Sequence, residues 1–190
     1  HAATCASRVY NYAIKMEHTH QNPWAKIERY STPQRKVVWQ HSDVIRFLDK
    51  AYSDYEYRNV GLIVQMAYEW CQRLGDMRTL QWENIDLATR VLTLEQSKRR
   101  ADVSLPISDE LVTMLNEQRK DFGFQEYVVP HPNPTMGKYE PYAMERLSKV
   151  GRRVMRLAGL PEELRLMDLR RTGVTQMIDS GVPMGQLMSV

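Results

Sequence analysis

The stretch 72–86, QRLGDMRTLQWENID, puts a basic residue where a chain can least hide one. It follows residues 58–72, the most apolar helical run of the sequence, and leads into a short helix over 76–80 and a strand over 82–85. Arg73 therefore stands at the end of a helix that the interior must surround, beside Cys71 and before Leu74. A guanidinium on the buried side is costly unless it is paired. Asp76, three residues on, is the partner at hand and can meet it bidentately. A structural salt bridge accounts for such a pair as readily as an anion site does.

Working outward, residues 90–94 and 102–106 read as strands, with Val91, Thr93, Val103 and Leu105 in alternation. The turn between them, SKRRA (97–101), is strongly basic. Ser108 caps a helix that buries Leu111, Val112, Met114 and Leu115. Pro130, Pro132 and Pro134 mark a loop, and Pro141 opens a long basic helix that ends at Leu157, before Gly159 and Pro161. A further helix runs from Asp168 to Gly181, and Pro183 opens another. Toward the start, Ser42 and Asp43 cap a helix containing Val44, Ile45, Phe47 and Leu48. Residues 1–30 read as helical and 31–38, polar and basic around Pro33, as a linker. The sum is an α+β fold, mainly helical, with a small antiparallel three-stranded sheet.

Composition excludes several classes. With 190 residues, 43% apolar and 26% charged, the chain is neither disordered nor a disulfide scaffold. No apolar run is long enough to span a bilayer, and no secretory leader is visible. Cys5 and Cys71 read as two buried thiols in a reducing compartment. A net charge of +3 tilts only weakly toward polyanions. The chain opens without Met and stops in an apolar pattern, VPMGQLMSV, which reads as a fragment.

The usual sites are missing. The histidines (His1, His18, His20, His41, His131) form no zinc spacing or triad, and there is no Gly-rich phosphate loop. Basic residues remain. Lys98, Arg99 and Arg100 occupy the hairpin turn, either as a solvated tip or as a probe of a phosphate backbone. Arg170 and Arg171 lie in the first turn of a helix, where Asp168 offsets an unfavourable dipole and backbone N–H groups suit an anion. Lys149, Arg152, Arg153 and Arg156 fall near one face of the long helix, either solvated or facing DNA.

Taken together, three ordered blocks resemble the tyrosine recombinases, the phage integrase family. The run 72–86 resembles the first block, with Arg73, Asp76 and Trp82 in place. The run 94–108, LEQSKRRADVSLPIS, resembles the hairpin that carries a catalytic lysine, here Lys98. The run 167–190, MDLRRTGVTQMIDSGVPMGQLMSV, resembles the H-x-x-R block, whose arginine is Arg170. Met167 replaces the family's histidine and can neither donate a charged hydrogen bond nor move a proton. The resemblance spans 38–190, and residues 1–30, ending in NPWAKI at 22–27, resemble the end of the core-binding domain that precedes it.

The resemblance implies a catalytic integrase domain over 39–190 that breaks and rejoins DNA at a specific site through a 3′-phosphotyrosyl intermediate, without metal or cofactor. It makes Arg73, Lys98 and Arg170 catalytic, places Asp76 and Met167 beside them, and leaves Arg99, Arg100, Lys149, Arg152, Arg153 and Arg171 to bind DNA. No tyrosine stands in the family's nucleophile context, so none is assigned, and the fragment itself reads as inactive. The implied partners are a double-stranded attachment site, three further copies in a homotetramer on DNA, and an accessory DNA-bending protein. The implied location is the cytoplasm of a bacterial host. Rival readings are an inactive DNA-binding integrase remnant, a type IB topoisomerase, and a helical interaction domain with its cations solvated.

Overall fold

Ten of the fifteen residues of the helix Tyr55–Glu69 are buried, among them Val60, Leu62, Ile63, Val64 and Met66. A helix apolar on every side has to be enclosed, and the elements around it do this. The computed structural model describes residues 2–27, 33, 35–95 and 102–183. The chain forms two units, His1–Lys36 and Val37–Val190.

In the first unit, helix α1 (Ala2–Lys15) ends soon after the last apolar residues of its pattern and before the break expected at Asn22 and Pro23, so the helical stretch read over 1–30 is shorter than expected. Glu17 takes a left-handed conformation (φ 58°). Asn22 then ties the returning chain to the helix: its Nδ2 donates to the Ser7 carbonyl at 3.1 Å and to Asn11 Oδ1 at 2.7 Å. Its Oδ1 accepts from the Trp24 N–H at 2.9 Å.

In the second unit, α2 (His41–Tyr52), α3 (Tyr55–Glu69), α4 (Leu74–Arg78), α5 (Asp109–Phe122), α6 (Met144–Leu157) and α7 (Leu169–Asp179) surround the buried helix, and α3 packs on all five others. The α2 cap is Gln40 rather than Ser42 or Asp43. Asp43 sits three residues in and accepts from the Gln40 N–H at 3.2 Å, so the acidic residue closes the first turn from inside. Ser108 does cap α5, accepting from the Leu111 N–H at 3.2 Å.

The sheet is an antiparallel meander, β1 (Ile85–Asp86), β2 (Val91–Glu95) and β3 (Asp102–Pro106), in that order. Leu92 faces Leu105 and Leu94 faces Val103, and all four are buried, while the alternate residues Thr93 and Ser104 point outward. The strand expected over 82–85 is mostly a 3-10 turn, Trp82–Asn84, with only Ile85 and Asp86 in the ladder. Trp82 explains the difference, because its indole N–H donates to the Phe122 carbonyl at 3.0 Å and turns the chain toward α5. Among the described residues no helix is long and apolar enough to cross a membrane.

Ser108 Oγ also donates to Glu69 Oε2 at 2.6 Å, so one hydroxyl caps α5 and ties it to the end of α3. Ser108→Ala is expected to lower unfolding stability by about 1–2 kcal/mol, and Ser108→Thr to restore most of it, as measured by urea denaturation.

Candidate phosphate-binding site

The end of α3 shapes the site. Trp70 closes the helix, its N–H donating to the Met66 carbonyl at 3.0 Å, and its indole N–H donates to the Pro106 carbonyl of β3 at 3.0 Å. Cys71 follows in the left-handed region (φ 51°), the position after a helix where glycine is usual. A side chain there is strained by roughly 1–3 kcal/mol, a strain that proteins concentrate at functional turns. The turn sends buried Gln72 back onto the Trp70 carbonyl (3.0 Å) and delivers Arg73 to the start of α4.

Arg73 Nη1 faces Asp76 Oδ2 at 3.5 Å, with the carboxylate buried and the guanidinium half-buried. The contact is an ion pair, longer than the short bonds of a bidentate clamp. It holds the arginine in place while leaving donors of the guanidinium for another acceptor.

Arg170 arrives on α7. A 3-10 turn, Leu166–Asp168, leads into that helix. Its orientation is held from far along the chain: the Trp39 N–H donates to Thr172 Oγ1 at 3.0 Å and the Trp39 indole N–H to the Arg165 carbonyl at 3.1 Å. Gly173 sets the approach. A Cβ at Gly173 would stand 2.4 Å from the Tyr68 carbonyl oxygen and 2.7 Å from Cys71 Sγ. Arg170 lies three residues earlier, on the same helix face, and its charge acts on the Cys71 thiol. Burial pushes that thiol up to about 11, with Arg170 pulling the other way. Arg73 and Asp76 thus form one pair, and Arg170 acts on Cys71, two residues before Arg73, where α7 crosses the end of α3.

The other predicted residues are dispersed. Lys98, Arg99 and Arg100 lie outside the described residues. Met167 is 74% exposed and lines a cavity of about 190 Å³ with Leu74, next in sequence to Arg73. Lys149 and Arg171 are exposed. Arg152 is half-buried and donates to the Glu162 carbonyl at 3.0 Å. Arg153 lies 3.8 Å from Glu56 and over the Tyr57 ring. The single basic stripe read from the sequence is therefore split. Sequence reasoning missed Arg165, Trp39 and Gly173. A glycine inside a helical pattern was the one readable signal among them. Among the described residues no cluster of His, Cys, Asp or Glu could hold a metal ion.

Arg73, steadied by a buried carboxylate, thus stands at the end of a buried helix that α7, the helix of Arg170, crosses. The Phage integrase family matches residues 39–190, and the chain belongs to that family. No curated protein matches the chain in sequence.

Solved structures share the fold. A lambda integrase dimer bound to a COC′ core site matches with a TM-score of 0.74 at 18% identity, over 99% of this chain and 54% of that one. A lambda integrase tetramer bound to a Holliday junction matches with a TM-score of 0.72 at 19% identity, over 96% and 55%. The Tn1549 transposon integrase in complex with a circular intermediate DNA matches with a TM-score of 0.71 at 13% identity, over 96% and 67%. The chain spans about half the length of the lambda integrase chains.

Two glycines with opposite surroundings test the packing. Gly173→Ala gains about 1 kcal/mol of helix propensity but forces its methyl onto a backbone carbonyl, and a net loss of about 2 kcal/mol is expected. Gly75→Ala, in α4 with nothing within 4 Å of the new methyl, should instead gain about 0.5–1 kcal/mol. Thermal or urea unfolding reads both signs.

The thiols differ as well. Cys5 is exposed, not buried as the sequence suggested, and should alkylate rapidly, while buried Cys71 reacts slowly until pH approaches about 11, where its thiolate forms. Mass spectrometry after timed iodoacetamide treatment distinguishes the two.

Proposed function

We propose that the whole protein is a site-specific DNA recombinase that cleaves and rejoins duplex DNA through a 3′-phosphotyrosyl intermediate. The observation that carries this reading is the crossing of α7, the helix of Arg170, over the turn that leads to Arg73, in a chain of the phage integrase family. In the proposed step a tyrosine oxygen attacks the scissile phosphorus, a P–O bond to tyrosine forms, and the bond to the 5′-oxygen breaks. Negative charge gathers on the two non-bridging oxygens, where planar guanidiniums offer several donors already in place. Arg73 and Arg170 are assigned to those oxygens, with Asp76 holding Arg73 in position. Lys98 is assigned to protonate the departing 5′-oxygen. The ester energy is kept in the phosphotyrosyl bond, so a second DNA end can reverse the reaction. No residue of this chain is assigned as the nucleophile.

The remaining assignments follow from the same reading. Duplex DNA is the partner, bound largely through its phosphates and therefore sensitive to salt. Lys149, Arg152 and Arg171 are assigned to that contact, as are Arg99 and Arg100 of the hairpin. Residues 1–30 are assigned to the end of a core-binding domain, 31–38 to a linker, and 39–190 to the catalytic domain. A homotetramer on DNA in a bacterial cytoplasm, with an accessory bending protein, completes the proposal; the lambda integrase tetramer on a Holliday junction supports the assembly. One observation favours a second reading, a DNA-binding integrase remnant without chemistry. Met167, at the family's histidine position, is exposed and brings no donor or acceptor of useful strength to a phosphate.

A nicked duplex that traps the covalent adduct separates the readings. In the whole protein, Arg73→Ala and Arg170→Ala should each slow adduct formation by about 10²–10³ while duplex binding survives. Wild-type rates in either variant would overturn the site. Tight binding with no adduct from the wild type would favour the remnant.

A further inference from the structure

Arg165 has no role in the reading above, yet its guanidinium is not placed at random. Arg152 on α6 donates from Nη1 to the Glu162 carbonyl at 3.0 Å, and Arg165 donates from Nη1 to the same oxygen at 2.9 Å. Two donors on one acceptor hold the Nη1 atoms within about 6 Å of each other. Arg165 has one further side-chain bond, 3.4 Å to the Leu164 carbonyl. Among the described residues neither arginine has a carboxylate partner. Two like charges are thus kept side by side by neutral backbone oxygens, which satisfy few of the five N–H donors that each guanidinium carries.

The pair also stands at an opening. Both arginines line the cavity of about 190 Å³ that contains Leu74, Ser148 and Met167, and both line a second cavity of about 230 Å³ behind it. Leu74 follows Arg73, so the pair lies on the flank of the Arg73 junction without belonging to it. Arg165 is exposed and Arg152 half-buried.

We propose that Arg152 and Arg165 form a second phosphate subsite, which holds a non-reacting phosphodiester of the DNA strand next to the reacting one. Planar forks suit the tetrahedral oxygens of a phosphate, and an anion between the two charges removes their repulsion. The identity of the ligand rests on the recombinase reading; the pairing of the arginines does not. The subsite positions DNA and takes no part in bond breaking.

The test is fluorescence anisotropy of a labelled duplex with the full chain across a salt series. Because both arginines serve one phosphate, Arg152→Ala/Arg165→Ala should reduce the slope of log K against log [salt] by about 1 and weaken binding about tenfold near 0.1 M salt. Each single variant should show most of that loss, so the two effects do not add. Arg165→Gln, which keeps a donor for the Glu162 carbonyl, should lose the slope while retaining the wild-type melting temperature, which separates lost charge from lost folding. A slope and affinity unchanged in the double variant would overturn the subsite alone. A wild-type chain that binds no duplex would overturn the DNA reading, and the assignment of a DNA phosphate with it.

Discussion

The approach of α7 to the end of α3, at a distance that only a glycine permits, is the constraint on which the site depends. With any side chain at position 173, the Tyr68 carbonyl and Cys71 sulfur would have to move, and both belong to the turn that delivers Arg73. One contact therefore sets two arginines relative to each other, although they are 97 positions apart in the chain. The Trp39 bonds to Thr172 and to the Arg165 carbonyl then fix the rotation of α7 about that contact. A glycine sets how near the helix comes, a tryptophan sets which way it faces, and neither touches an anion.

The same short segment anchors the hairpin. Trp70 holds the Pro106 carbonyl and Glu69 holds Ser108, so the end of β3 and the cap of α5 are both fastened to the residues just before Cys71. Glu95 and Asp102 stay paired at the last described rung of the ladder. The described ladder is therefore registered against the Arg73 turn. Three routes, by helix, by turn and by hairpin, converge on the last residues of one buried helix.

The parts of this arrangement that could be read from sequence are those decided locally. Alternation located β2 and β3, apolar density located α3, and Ser108 announced α5, because pleat, burial and capping act over a few residues. What escaped depended on distant partners. Trp82 leaves its expected strand for a carbonyl of α5, forty residues away. Gln40 displaces Ser42 as a cap because Asp43 can reach back to its N–H. The basic stripe of α6 had the right spacing, but the neighbours of each residue divided it, with Arg152 drawn to Glu162 and Arg153 to Glu56 and Tyr57. The pairing of Arg73 with Asp76 was visible as a spacing of three, and its length of 3.5 Å was not.

That length bears on how the site can work. A carboxylate in full bidentate contact would neutralise Arg73 and occupy its donors, leaving little for a phosphate. At 3.5 Å the buried Asp76 still steadies the guanidinium, and its donors stay available. Burial raises the Cys71 thiol against the pull of Arg170, so Cys71 itself contributes no negative charge there. Arg73 thus keeps its charge on a half-buried side chain beside a buried carboxylate, an arrangement that costs desolvation. Such an arrangement holds because the surrounding packing over-determines it. Under the proposed function the left-handed Cys71 and the tight contact at Gly173 are the structural counterpart of preorganised electrostatics: with the charges placed during folding, little reorganisation would remain when a phosphate arrives.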